Sequence, residues 1–169
     1  GSAKGPLGKD GKCLVVELQG QQKNVEDVLE KKFKKLKHSS SKGYDAFKEQ
    51  IFPEVSSQTF DYYYKVEGKG KENVRVLLFI STGYDNWLQP QDHSQELNNA
   101  KQMLNGLIQE VQVYELGLAI DAQTKVVEDA AKEQEKLVKE DEKLKKELEK
   151  LQKEIEENKQ EQEDNKKAQ

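Results

Sequence analysis

The chain has 169 residues, 36% of them charged and 34% hydrophobic, with a mean hydropathy of -0.99; this leaves room for one ordinary domain and an appendage but not for two full cores. Its 28 basic and 32 acidic side chains leave a net charge of -4, without the basic excess that a nucleic-acid surface needs. No run approaches the roughly 18 apolar residues of a spanning helix, and a single cysteine, Cys13, excludes an intrachain disulfide framework or a cysteine-cluster zinc site.

Residues 1–11 (GSAKGPLGKDG) are Gly-rich, lack an apolar face and are expected to form a flexible leader. Cys13 to Leu18 (CLVVEL) reads as a strand. Residues 24–37 read as a helix, with Asn24 as N-cap, Glu26 and Asp27 in the first turn, and Val25, Val28, Leu29, Phe33 and Leu36 forming one apolar stripe. Residues 38–43 read as a loop and Tyr44 to Ile51 as a strand closed by Phe52-Pro53. From Thr59 to Val66, Phe60, Tyr62, Tyr64 and Val66 alternate with Asp61, Tyr63 and Lys65, as in a half-buried strand. Gly68-Lys69-Gly70-Lys71 reads as the tip of an antiparallel hairpin, and Val74 to Ser81 as its second strand. A helix starts near Asp92 or Ser94, with an apolar stripe that includes Leu97, Ala100, Met103, Leu104, Leu107, Ile108 and Val111. The order β-α-β-β-β-α predicts a small α+β domain over 12–112, an antiparallel-rich sheet with its helices on one face.

All tyrosines, phenylalanines, prolines and glycines, and the only tryptophan, precede position 118. Residues 122–169 carry 12 Lys and 15 Asp or Glu, a net -3. From Val113 a seven-residue repeat places Val113, Ile120, Val127, Gln134, Asp141, Leu148 and Ile155 at a, and Leu116, Gln123, Ala130, Leu137, Leu144, Leu151 and Asn158 at d. An uninterrupted helix over 113–169 with such a seam is expected to pair with a second helix through Ile120, Val127, Leu137, Leu144, Leu148, Leu151 and Ile155. Glu140 and Glu154 at g match Lys145 and Lys159 at the following e positions only if the partner runs parallel. The expected assembly is a parallel homodimer.

No sequence pattern supplies a catalytic set. His38 and His93 stand without a second His or Cys at ligand spacing, Gly68 to Lys71 lacks the spacing and following helix of a phosphate loop, and no nucleophile elbow occurs. The chain is therefore expected to be no enzyme, with no metal and no cofactor. The segment Ser81 to Trp87 combines a flexible glycine with aromatic and hydrogen-bonding side chains. It nominates Tyr84, Asp85, Asn86 and Trp87, with Tyr63 on the less buried sheet face, as binding residues for a small molecule or glycan.

The run YYYKVEGKGKENVRVLLFISTGYDNW, followed by IDAQTKVV and a Lys/Glu-rich helical tail, resembles a group of uncharacterised exported proteins of gut Bacteroidetes. The resemblance covers most of the chain after residue 11. It implies a mature periplasmic or lipid-anchored protein whose signal segment has been removed, and it brings no site residues. Together these readings suggest a non-enzymatic interaction protein of the cell envelope, its α+β domain displayed on a parallel coiled-coil stalk.

Overall fold

A computed structural model of the chain describes residues 1–69, 73–84 and 86–167. The chain divides into two compact units, Gly1–Leu118 and Ala119–Gln169.

In the first unit the strands are β1 (Ser2–Lys4), β2 (Asp10–Lys12), β3 (Leu14–Leu18), β4 (Ser39–Ser41), β5 (Tyr44–Ile51), β6 (Thr59–Lys69) and β7 (Asn73–Ser81). Helix α1 spans Gln22–Phe33, and helix α2 spans Ser94–Lys167 and so continues into the second unit. Five strands form one antiparallel sheet in the order β3-β7-β6-β5-β4. The fold is α+β. The hairpin expected from the alternating patterns is the β6–β7 pair, in register from Asp61 opposite Ser81 to Lys69 opposite Asn73. Of its tip, Gly70 and Lys71 lie outside the described residues.

Period-2 alternation gives the sheet two buried faces. On the first, Val16, Leu18, Phe60, Tyr62, Tyr64, Val74, Val76, Leu78 and Ile80 pack against Val25, Val28, Leu29 and Phe33 of α1 and against Ala100, Met103, Leu104, Leu107 and Val111 of α2. Both helices thus cover one face, as the element order requires. Phe33 is the aromatic hub of this layer, with its centroid 4.9 Å from Phe47, 4.8 Å from Phe52 and 5.1 Å from Tyr64. The second face gathers Cys13, Tyr44, Ala46, Tyr63, Leu77, Phe79 and Trp87.

That second cluster explains a correction. Residues 1–11, expected as a leader without an apolar face, form the β1–β2 hairpin, which pairs Ser2 with Lys12 and Lys4 with Asp10. Ala3 and Leu7 pack onto the second cluster, and Tyr44 Oη donates to the Lys4 carbonyl at 2.7 Å. Two apolar side chains suffice because the sheet already offers a broad aromatic floor.

Other differences follow from tertiary contacts. Helix α1 starts two residues earlier than expected and ends at Phe33; the N-cap position is Gln21, which makes no side-chain capping bond. Asn24 lies inside the helix and is buried. Ser39–Ser41, read as loop, is a short edge strand on β5. The first unit ends at Leu118 rather than 112, because the α2 turn past Val111 still holds α1: Tyr114 Oη donates to Asp27 at 2.9 Å, and Asn24 Nδ2 donates to Glu115 at 2.9 Å.

The second unit is helical throughout its described part. Its surface carries i to i+3 and i to i+4 ion pairs, among them Lys139–Glu135 at 2.7 Å and Lys145–Asp141 at 2.6 Å. Ile120, Val127, Leu137, Leu144, Leu148, Leu151 and Ile155 are each between 51% and 59% exposed.

Candidate functional site

A cleft of about 900 Å3 opens at one end of the second sheet face, lined by Lys48, Glu49, Thr59, Phe60, Asp61, Tyr63, Thr82, Gly83, Tyr84 and Asn86, with Leu7 of the β1–β2 hairpin. Its floor is set by a break in strand register. Phe47 pairs with Tyr62 and Gln50 with Phe60, so Lys48 and Glu49 together face the single residue Asp61. Glu49 takes a left-handed conformation (φ 54°). The buried Asp61 side chain holds it there: Oδ1 accepts the Glu49 backbone N–H at 2.7 Å, and Oδ2 accepts the Tyr63 hydroxyl at 3.2 Å. Burial, with the Asp61 charge and hydrogen bond beside it, pushes the Tyr63 phenol up to about 12.

The wall of the cleft is the loop after β7. Ser81 Oγ accepts the Gly83 N–H at 2.9 Å and donates to the Tyr84 carbonyl at 3.0 Å. Thr82 N–H bonds the Asn86 carbonyl at 3.1 Å, and Asn86 Nδ2 donates to Thr82 Oγ1 at 2.6 Å. These bonds hold Tyr84, itself left-handed at φ 52°, with its side chain 90% exposed.

The structure therefore brings Tyr63, Tyr84 and Asn86 to one cleft. Asp85 lies outside the described residues. Two expectations are corrected. Tyr63 is on the face opposite Tyr62 and Tyr64, but the hairpin and Trp87 bury it to 1% exposure, so it contributes as floor rather than as an exposed ring. Trp87 is also buried; it packs edge-on against Tyr63 and Phe79, with centroids 5.9 and 5.2 Å away, and closes the second core cluster. Asp61, Lys48, Glu49 and Thr59 were not nominated from sequence. Their only signal was the alternation that placed Asp61 beside Tyr63's face, and the bulge that joins them cannot be read without the β5–β6 register.

The arrangement offers an exposed aromatic ring, a carboxylate, an amide and hydroxyls, which suits hydrogen bonding and stacking. Elsewhere, His38 Nε2 lies 2.7 Å from Asp45, and His93 packs edge-on against Phe60. No group of three or more His, Cys, Asp and Glu side chains that could hold a metal occurs among the described residues. Cys13 is buried, which pushes its thiol up and away from the reactive thiolate. No helix among the described residues is long and apolar enough to cross a membrane.

No protein-family model matches the chain, and no match was found to a curated protein or to a solved structure.

Proposed function

We propose that the chain is a non-enzymatic interaction protein that assembles through its C-terminal helix as a parallel homodimer and so carries its α+β domain in two copies. The observation that carries this reading is the ridge Ile120, Val127, Leu137, Leu144, Leu148, Leu151 and Ile155, which falls on a and d positions of one seven-residue repeat, is interrupted by Gln123, Gln134 and Asp141, and is half exposed at every member. Sealing one such Leu or Ile in a seam contributes about 1–2 kcal/mol, a driving force that a solitary helix forfeits. The charges beside the ridge support the parallel arrangement, since Glu140 and Glu154 then meet Lys145 and Lys159 of the second copy. Two domains on one dimer raise avidity for a repetitive partner. The resemblance to exported proteins supports placement in the cell envelope.

Light scattering on the full chain tests the assembly. The expected mass is twice 19.4 kDa, and Leu144→Lys with Leu151→Lys should return it to one chain. Glu140→Lys or Lys145→Glu alone should loosen the dimer, and the double exchange should restore it. A single-chain mass at high concentration overturns the reading.

A second reading, a small-molecule or glycan-binding module, is favoured by one observation: Tyr84 stands 90% exposed at the rim of the Asp61–Tyr63 cleft. Trp87 packs against Tyr63 and reports on the cleft by fluorescence. A glycan or metabolite that quenches Trp87 in the native chain but not in Tyr84→Ala supports this reading; no response across a broad library removes it.

A further inference from the structure

At the other end of the second sheet face, a cleft of about 370 Å3 lies between the β1–β2 hairpin and the sheet. Four cations line it: Lys4 from β1, Lys42 from the β4–β5 turn, Lys65 from β6 and Arg75 from β7. Among the described residues Glu67 is the one acidic group in the lining, which gives them a charge of +3 in a chain whose total is -4. Glu17, opposite Arg75 across the β3–β7 pair, lowers the local sum to +2.

Two of the cations, Lys42 and Lys65, are fixed by neighbouring groups. Lys42 Nζ donates to the Leu7 carbonyl at 2.9 Å. Lys65 Nζ donates to Glu67 at 2.8 Å and lies 5.8 Å from the centre of the Tyr44 ring. The Tyr44 hydroxyl donates to the Lys4 carbonyl, which fixes the hairpin over the cleft. Arg75 is the only arginine in the chain, and no carboxylate forms an ion pair with it among the described residues. Arg75 is exposed in the lining of this concave site, between Glu67 of β6 and Glu17 of β3 in the ladder, and its planar fork is suited to an oxyanion. Pairing of β4, β5, β6 and β7 brings Lys42, Lys65 and Arg75 together, and the β1–β2 hairpin adds Lys4. On the second unit, by contrast, lysines pair with acidic side chains three or four residues away.

We infer that this cleft binds a tetrahedral oxyanion, a phosphate or sulfate group carried on a small ligand, with Arg75 as the fork and Lys4, Lys42 and Lys65 as point charges around it. Cations arriving from four segments suit a tetrahedral anion better than a planar carboxylate, which one arginine can satisfy alone. The site is independent of the C-terminal assembly and of the Tyr84 cleft.

The single arginine provides the probe. The Arg75 Nε–Hε resonance of the full chain is followed by NMR while inorganic phosphate, sulfate or acetate is added at constant ionic strength. Phosphate or sulfate should produce a saturable shift, and the stronger of the two identifies the ester. Lys65→Gln and, separately, Lys4→Gln should each weaken the midpoint about tenfold, whereas Lys153→Gln on the second unit should not move it. A shift that fails to saturate, one that acetate reproduces at the same midpoint, or one unchanged in both cleft variants overturns the inference.

Discussion

Glu115 of α2 supplies the cap that α1 lacks: its Oε1 accepts a hydrogen bond from Asn24 Nδ2 at 2.9 Å and another from the Gln21 backbone N–H at 3.1 Å. A carboxylate at a helix start satisfies free amides and favours the dipole. Gly20 makes this approach possible. A Cβ at that position would fall 3.1 Å from Glu115 Oε1, and its φ of 153° disfavours side chains. Glu115→Ala should destabilise the first unit by about 1–2 kcal/mol in urea unfolding. An unchanged midpoint would show that water caps α1 equally well.

Tyr62 presents the opposite case. Its hydroxyl is fully buried and makes no hydrogen bond of standard geometry. Burial pushes the phenol up to about 12, an effect only partly offset by the nearby Phe52 backbone. Tyr62→Phe removes a desolvated hydroxyl while keeping the ring against Phe52 and Phe60. It should therefore raise stability by about 1 kcal/mol in thermal or urea unfolding. A loss of that size would show that the hydroxyl is bonded to Phe52 after all.

Local pattern carried most of the fold. Val74 to Ser81 and Thr59 to Val66 alternate so regularly that both strands, and their pairing, follow from period 2 and the glycines between them. The same logic placed Leu104, Leu107 and Val111 on the buried stripe of α2. What stayed hidden depends on distant partners. Asn24 resembled a cap because the true cap, Glu115, lies 91 residues away. Ala3 and Leu7 carry too little apolar surface to announce a hairpin until Tyr44, Phe79 and Trp87 supply the floor beneath it. The Tyr84 loop was visible as a composition, but Asp61 entered its cleft only through a bulge.

Gly11 is where that hairpin meets Trp87. A Cβ there would lie 2.5 Å from Trp87 Nε1, with further indole atoms at 2.9 and 3.0 Å. Gly11→Ala must therefore displace the ring or the hairpin and should cost about 1–3 kcal/mol. As the only tryptophan, Trp87 reports directly: its emission should shift to the red in the variant as the hairpin lifts. A native spectrum at native stability would mean that the hairpin does not press on Trp87 in solution.

The buried tyrosines set the alkaline limit of the first unit. Tyr62 and Tyr63 are pushed up to about 12 from an ordinary 10, and Tyr44 and Tyr64 move in the same direction, in each case chiefly through burial. A raised phenol favours the folded state while it is neutral. Its contribution is complete below pH 10 and fades as pH rises through about 12. Circular dichroism of the sheet and phenolate absorbance should therefore change together across that interval. Full ionisation of Tyr44, Tyr62, Tyr63 and Tyr64 before any loss of structure would contradict their burial.

Asp141 occupies an a position in the proposed seam, yet in the single helix its Oδ2 bonds Lys145 Nζ at 2.6 Å, with both side chains well exposed. In a parallel dimer the same lysine is the e-position partner for Glu140 of the second copy. Assembly therefore draws Lys145 away and brings two Asp141 carboxylates toward each other, which costs stability even as it restricts register. Asp141→Leu removes that repulsion and extends the ridge between Leu137 and Leu144. The dissociation constant from sedimentation equilibrium should fall by about tenfold or more, whereas Glu142→Leu, one position away at b, should leave it unchanged. If both substitutions tighten assembly equally, the helices associate through general hydrophobicity and not through the heptad seam.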